Sequence, residues 1–373
     1  MKVLHLTHTN PNTDNRILKQ LSALSKNSKY SIYCFGINIS EGSSETKVNV
    51  KAEVTTIELF FKSNYIYRPI RHMLMLVELC TRFTLLSLKI RPDVIHCHDT
   101  LVLPVGVFLS KIFNSKLVYD AHELESNKNG QTKVLSYATY FLEKIFWNSI
   151  DHLISVSESI IDWYENEFGK KDNTLILNSP LLINSDNRTD NYFRMLYDIR
   201  QDELVFVYLG IFGRGRGLDY IIEAFSNSLI KSHVVFIGYG EYSERLKKIA
   251  LSKKNIHVHD AIPHESVVDR VKNADYGLCL IENVSLSDYY CLPNKLFEYA
   301  FAGLPVLASK FPEITSVVTK YNLGYTCDLD VDSIINAIIN IENDKTEKNN
   351  LELTEIGWQA QENRLVKTYN NLT

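Results

Sequence analysis

Asp288-Tyr289-Tyr290-Cys291-Leu292-Pro293-Asn294-Lys295-Leu296-Phe297-Glu298-Tyr299-Ala300-Phe301-Ala302-Gly303-Leu304-Pro305-Val306-Leu307-Ala308-Ser309 reads as a loop, a short helix, a stop and a buried strand. Pro293 has the fixed φ that suits the first turn of a helix, where a missing N–H costs nothing. Gly303 stands where a left-handed C-terminal cap is wanted, and Pro305 bars continuation. Val306-Leu307-Ala308 has the unbroken apolar character of a strand covered on both faces, as in a parallel sheet. A helix start offers free N–H groups and a positive dipole end, which suits a phosphate. Lys295 lies in that first turn. Glu298 lies one turn on, where a carboxylate can accept hydrogen bonds from the two hydroxyls of a ribose. A polyphosphate beside a ribose is a nucleotide. The competing reading is an ordinary buried helix with a surface glutamate.

Outward from this stretch, the chain alternates apolar strands with helical periodicity. Lys2-Val3-Leu4-His5-Leu6-Thr7 is a strand, and Ile17, Leu18, Leu21, Ala23 and Leu24 then recur at helical spacing. Asp14 or Thr13 is the N-cap of that helix. Tyr30-Ser31-Ile32-Tyr33-Cys34-Phe35 is the next strand, so the order implies a right-handed parallel unit. No G-x-G-x-x-G follows the first strand, which argues against a dinucleotide site in this half. Further strands are read at 94–99, 116–120 and 151–157, and Asn178-Ser179-Pro180 closes the half. Residues 178–203 form the boundary, with the polar run 184–191 as a linker. Strands at 204–209, 234–240 and 256–259, and then the stretch 274–278, lead back to the opening stretch. The fold class is therefore α/β, with two Rossmann-like domains of parallel sheet at 1–180 and 200–350 facing a cleft. The last segment, 355–372, is a helix.

Composition narrows the function classes. The 373 residues suffice for two ordinary domains, and 45% hydrophobic with 23% charged is the profile of a globular protein. A formal net charge of −4 gives no case for nucleic-acid binding. Six cysteines stand at 34, 80, 97, 279, 291 and 327 with no C-x-x-C pair, so they read as reduced thiols of a cytoplasmic protein. The opening turns polar too soon for a signal peptide, and no apolar run is long enough to span a bilayer. The best run, 73–90, is broken by Glu78, Arg82 and Lys89.

Three further stretches carry chemistry. Gly210-Ile211-Phe212-Gly213-Arg214-Gly215-Arg216-Gly217-Leu218 follows a strand and opens a helix. Its glycines let backbone amides approach an anion, and Arg214 and Arg216 can fork onto phosphate oxygens. It is neither a Walker A loop nor a dinucleotide fingerprint; the bland alternative is a glycine turn with solvated arginines. Val94-Ile95-His96-Cys97-His98-Asp99 invites a metal reading, but the di-zinc pattern needs another histidine shortly after the aspartate, and Thr100-Leu101-Val102 does not supply one. Acceptor contact by His98 or Asp99 at the end of a strand suits an open α/β sheet better. Residues 62–91 carry Lys62, Arg68, Arg71, His72, Arg82, Lys89 and Arg91 among apolar residues. They read either as a basic amphipathic helix on anionic lipid or as a domain helix with a solvated basic edge. Asp328-Leu329-Asp330 precedes a helix and is explained by capping, not by a metal.

The strings L-P-N-K-L-F-E-Y-x-x-A-G-L-P-V at 292–306, D-A-H-E at 120–123 and G-x-x-G-R-G-R-G at 210–217 resemble those of retaining glycosyltransferases of the GT-B fold, family 4. The resemblance covers most of the chain. It implies an N-terminal acceptor domain and a C-terminal nucleotide-sugar domain, with the last helix crossing back onto the first. Glu298 would then hold the donor ribose. Gly213, Arg214, Gly215, Arg216 and Lys295 would bind the diphosphate, with Arg216 in the place of the family's lysine. Tyr290, Pro293 and Asn294 would face the donor sugar. The family often has an acid where this chain has Tyr290, and Asp288 or Glu282 can substitute. His122, with Glu123 beside it, would meet the reacting sugar, although His122 also reads as a satisfied interior histidine. Asp14 and Arg16 resemble the acceptor-side loop, or are a cap and a solvated residue. The implied reaction moves a hexose from a UDP- or GDP-linked donor, a substrate and not a cofactor, to a glycan or lipid-linked acceptor without a metal, for cell-surface polysaccharide. Alternatives are a nucleotide-sugar 2-epimerase of similar architecture and a non-catalytic nucleotide-sugar-binding partner subunit.

Overall fold

The computed structural model describes residues 1–38, 50–62, 68–181, 191–263, 266–343 and 353–372. Most of the polar linker run lies outside them. The chain forms two compact units, Met1–Ile176 with Gln361–Thr373, and Leu177–Ala360.

The first unit holds a seven-stranded sheet of β1 (Lys2–Leu6), β2 (Ser31–Ile37), β3 (Glu53–Ile57), β4 (Val94–His98), β5 (Lys116–Ala121), β6 (His152–Ser155) and β7 (Asn173–Leu175). The order is β3-β2-β1-β4-β5-β6-β7, and all of its pairs are parallel. Val3, Leu4, Ile95, Leu117, Val118, Leu153 and Ile154 are fully buried, as a sheet covered on both faces requires. The chain turns outward in opposite directions from β1 and β4. Their C-terminal ends therefore flank a switch point, where open α/β sheets gather ligands. The final helix, Trp358–Asn371, begins three residues later than 355. Within the first unit it is tied down by Lys26 to Glu362 at 2.7 Å, Tyr30 to Asn370 at 2.6 Å and Tyr369 to His96 at 2.6 Å.

The second unit repeats the plan with β8 (Val205–Ile211), β9 (His233–Tyr239), β10 (Ile256–His259), β11 (Tyr276–Cys279), β12 (Val306–Ser309) and β13 (Gly324–Cys327). The order β10-β9-β8-β11-β12-β13 is again parallel, with its switch point between β8 and β11. The opening stretch folds as loop, helix Asn294–Phe301, stop and β12. Pro293 sits one residue earlier than expected, as the extended N-cap at φ −74° and ψ 143°. The stop is a Schellman motif: Gly303 N–H donates to Ala300 O at 3.0 Å and Leu304 N–H to Tyr299 O at 2.9 Å. Gly303 has φ 71°, where a side chain would cost about 1–2 kcal/mol.

Candidate active site

In the second unit, the glycine loop leaves the end of β8. Gly217 has φ 68°, and a Cβ there would lie 2.7 Å from the Leu280 carbonyl oxygen, so only glycine lets the loop pass the end of β11. Glu282 braces the loop: its Oε1 accepts the Gly217 N–H at 3.1 Å, and its own N–H donates to Gly215 O at 3.1 Å. The two arginines then part. Arg214 is exposed, its backbone N–H bonded to Glu241 at 3.2 Å, while half-buried Arg216 lies within electrostatic reach of Asp288 and Cys291. Gly213 is half-buried beside them. Asp288 is buried and accepts from Ser285 Oγ at 2.8 Å; burial pushes its carboxyl up against the opposing pull of Ser285 and Arg216.

On helix Asn294–Phe301, Lys295 and Glu298 are both buried, at 9% and 6% exposure. They flank Cys279, whose thiol burial pushes up to about 11 while Lys295 and Glu298 act on it in opposite directions. Lys295 Nζ is buried, lies 4.0 Å from the centroid of the Tyr208 ring and has no hydrogen-bond acceptor. A cation–π contact returns about 2 kcal/mol when desolvated, against several kcal/mol for burying an ammonium. The deficit is one that an anion would remove. Tyr290 and Pro293 are half-buried and Asn294 exposed on the approach to this helix.

In the first unit, the residues named from sequence converge on a carboxylate that the reading treated only as part of a motif. Asp120 is fully buried. Arg16 Nη2 donates to its Oδ1 at 2.7 Å and Gln20 Nε2 to its Oδ2 at 2.7 Å. Around Oδ2 lie His96 Nε2 at 3.4 Å, His98 Nδ1 at 3.5 Å and His122 Nε2 at 3.4 Å. Arg16 is therefore neither a solvated first-turn residue nor free to meet an acceptor. At 4% exposure, its guanidinium is committed to Asp120 and to Ile176 O. Asp14 is the helix N-cap, its side chain accepting from the Arg16 and Ile17 amides.

Burial drives the carboxyl of Asp120 up, but Arg16 and His122 outweigh it and hold it well below the usual range. Burial keeps His5, His96 and His98 neutral, His96 down to about 3. His122 is the exception. Burial lowers it, but the charges of Asp99 and Asp120 prevail and raise it above 6.5. Its side chain is 17% exposed, and Nδ1 lies 3.6 Å from Asp99 Oδ1. Asp99 holds φ 66°, an uncommon angle for a residue other than glycine, with its N–H donated to Asp120 O at 3.1 Å. Beneath it, Glu143 Oε1 accepts from Thr100, Tyr119 and Tyr164 at 2.6–2.9 Å, which anchors the loop.

Two groups here are close enough to weigh as metal ligands, His5/His96/His98 and His98/Asp120/His122. In the first, the His96 ring stacks on His5 and His98 at 4.3–4.5 Å with interplanar angles of 22–26°. Lone pairs lie in the ring planes, so stacked rings do not aim at one point about 2 Å from each. In the second, Asp120 Oδ2 already accepts from Gln20 and Arg16.

Glu123 is exposed, its charge acting on Lys128. The acid that sequence reading missed is Glu125, buried, 2.7 Å from Lys128 Nζ and within electrostatic reach of Asp99. Burial and the Asp99 charge hold Glu125 well above the usual range, while Asp99 is held at about 2, burial being outweighed by His122, Lys128 and His8. Glu125 lies two residues beyond Glu123, and the D-A-H-E string drew attention to the wrong one. His8, Asp99, Glu125 and Lys128 form the polar end of a cavity of about 380 Å³ whose wall includes Leu76, Leu101 and Leu142.

The model of the family Glycosyl transferases group 1 matches residues 194–356, and that of Glycosyltransferase Family 4 matches residues 26–178. A comparison with curated protein sequences gives no significant match. Among solved structures, sucrose-phosphate synthase from Thermosynechococcus elongatus superposes with a TM-score of 0.76 at 17% identity, covering 100% of this chain and 99% of that one. The Anabaena protein HepE in complex with UDP-glucose gives 0.73 at 14% identity over 100% of both chains. UDP-GlcNAc 2-epimerase from Methanocaldococcus jannaschii gives 0.58 at 14% identity, again over 100% of both. At these identities the likeness is one of fold.

Proposed function

Because the chain belongs to the family 4 type of GT-B glycosyltransferases, we propose that it moves a hexose, with retention of anomeric configuration, from a UDP- or GDP-linked donor to a lipid-linked or glycan acceptor. The observation that carries this reading is the buried pair on one helix, Lys295 lacking an anion and Glu298 one turn on. Lys295, Arg216 and the helix N-terminus would stabilise the departing nucleoside diphosphate without a metal ion. Glu298 would accept the ribose hydroxyls. The first unit would supply His122 for the transferred sugar, and the donor phosphate would take the acceptor proton.

The acceptor reading rests on the cavity with its polar end and apolar wall, and on the surface beside it. Helix Arg68–Ile90 exposes Ile70, Met73, Val77, Leu85 and Leu88, and helix Lys133–Phe146 exposes Val134, Tyr137, Phe141 and Ile145. Both pack beside helix Leu103–Phe113, which exposes Phe108 and Ile112. Exposed apolar side chains on three neighbouring helices suit a contact surface. It suits contact with the inner face of a membrane, and a cytoplasmic place in cell-surface polysaccharide synthesis. Of the basic edge, Lys89 and Arg91 are exposed. Arg82 is paired with Glu78 at 3.1 Å and sits over Phe60, and the side chains of Lys62, Arg68 and His72 lie outside the described residues. No helix among the described residues is long and apolar enough to cross a membrane. The second reading, nucleotide-sugar epimerisation, is favoured by the likeness to the 2-epimerase fold and opposed by the family matches.

Calorimetric titration tests the donor assignment. Losing Glu298 bonds worth roughly 1.5–3 kcal/mol should weaken UDP or GDP binding about 10- to 100-fold in Glu298→Ala. His122→Ala should keep nucleotide affinity and lose turnover. The opposite pattern would show that the two units have been given each other's roles.

A further inference from the structure

His122 stands at the end of a row of imidazoles. Its Nε2 lies 3.1 Å from His98 Nδ1, and His98 Nε2 lies 3.0 Å from His5 Nδ1. A neutral imidazole has one donor and one acceptor. Three in a row therefore take one of two arrangements, with every N–H pointing outward toward His122 or every N–H pointing inward toward His5. The two ends select between them. At the outer end, His122 Nδ1 faces Asp99 Oδ1, which is ionised and can only accept. At the inner end, His5 Nε2 is fully buried with no hydrogen-bond partner. A buried orphan acceptor is tolerated more often than a buried orphan donor. Both ends favour the outward arrangement, with His98 Nδ1–H shared between His122 Nε2 and Asp120 Oδ2.

We propose that Asp120, His98 and His5 are positioning residues that fix His122 with a proton on Nδ1 and aim that N–H at a hydroxyl of the reacting sugar in front of Asp99. The 3.6 Å between His122 Nδ1 and Asp99 Oδ1 is too long for a direct bond, and Asp99 Oδ1 has no hydrogen-bond partner. Asp99 Oδ1 is itself shielded from solvent, so the hydroxyl takes its hydrogen bond from the His122 Nδ1–H, at about 2.8 Å, and Asp99 acts through its charge. The same Nδ1 proton is present when His122 is charged. Arg16 and Gln20, fixed on Asp120, hold the corner of the array. This inference rests on His122 meeting the sugar, as in the function proposed above.

The test reads the imidazole nitrogens of isotope-labelled full-length protein by magnetic resonance, above the titration of His122, with His122→Gln to assign its signals. Protons on Nδ1 of His122, His98 and His5 are the expected result. In His98→Phe, which removes the inner donor, His122 should become a mixture of tautomers. Turnover should fall about 100-fold with nucleotide Kd unchanged, as misplacement of a reacting-site group does. A His122 proton on Nε2 in the unsubstituted protein, or an unchanged tautomer in His98→Phe, overturns the proposal. The unsubstituted spectrum decides even where a variant fails to fold. It also stands apart from the function: absence of transfer to any acceptor would leave the tautomer result intact, whereas transfer with the wrong tautomer would sink the positioning role alone.

Discussion

Replacing Arg16 with leucine separates the two readings of that residue. A solvated first-turn arginine would change stability by no more than about 0.5 kcal/mol. The structure gives a different figure. Arg16 is 4% exposed and Asp120 fully buried, with 2.7 Å between Nη2 and Oδ1. Removing one partner strands a charge in the interior, which costs about 3–5 kcal/mol. For a unit of this size that lowers Tm by roughly 6–20 °C, at about 2–4 °C per kcal/mol. The sign with pH is also fixed. In the parent, Asp120 titrates well below its usual range, so the stability it contributes is present above the unfolded pKa and lost as pH falls through the folded one. In the leucine variant, burial acts without the cation and raises the Asp120 carboxyl, which then takes up its proton readily. The stability gap between parent and variant should therefore narrow from about pH 7 to about pH 4. Urea denaturation followed by circular dichroism across that range measures it. A gap below about 1 kcal/mol at neutral pH, or one that widens on acidification, would refute the buried-pair argument.

The side chains assigned to the diphosphate carry the charge that a metal otherwise would, so turnover should survive EDTA; loss on chelation with recovery on Mg²⁺ or Mn²⁺ would contradict that. The exposed apolar faces of helices Arg68–Ile90 and Lys133–Phe146 should bring the protein down with lipid vesicles, and substitution of Met73 and Phe141 by serine should reduce co-sedimentation. An anionic contribution would appear as partial release at high salt. Equal recovery in the supernatant with and without vesicles would remove the membrane contact.

The architecture was legible wherever a segment is buried on both faces. The strand 306–308 and the helix before it were readable because Gly303 and Pro305 punctuate a continuous apolar run. Among the strands not read, β3, β7 and β13 each lie at a sheet edge. Glu53–Ile57, Asn173–Leu175 and Gly324–Cys327 are short and half-exposed, so they carry neither a buried run nor a clear alternation. The chemical site was legible only in part. H-x-H-D and D-A-H-E are strings within one strand end each, and reading found both. What joins them is Asp120 as a shared acceptor, with Arg16 and Gln20 from the first helix and His5 from β1. Those partners come from distant positions and have no spacing to betray them. Exposure likewise separates Glu123 from Glu125, and Arg214 from Arg216, across a single residue, which local sequence does not encode.

The most direct test supplies the purified protein with UDP- and GDP-linked hexoses, with and without a lipid extract, and follows both the released nucleotide and the fate of the sugar. The account predicts release of nucleoside diphosphate that depends on the extract, with the sugar recovered in the lipid fraction at unchanged anomeric configuration. Conversion of the nucleotide-sugar to its epimer without any acceptor, or an inverted linkage in the product, would contradict it.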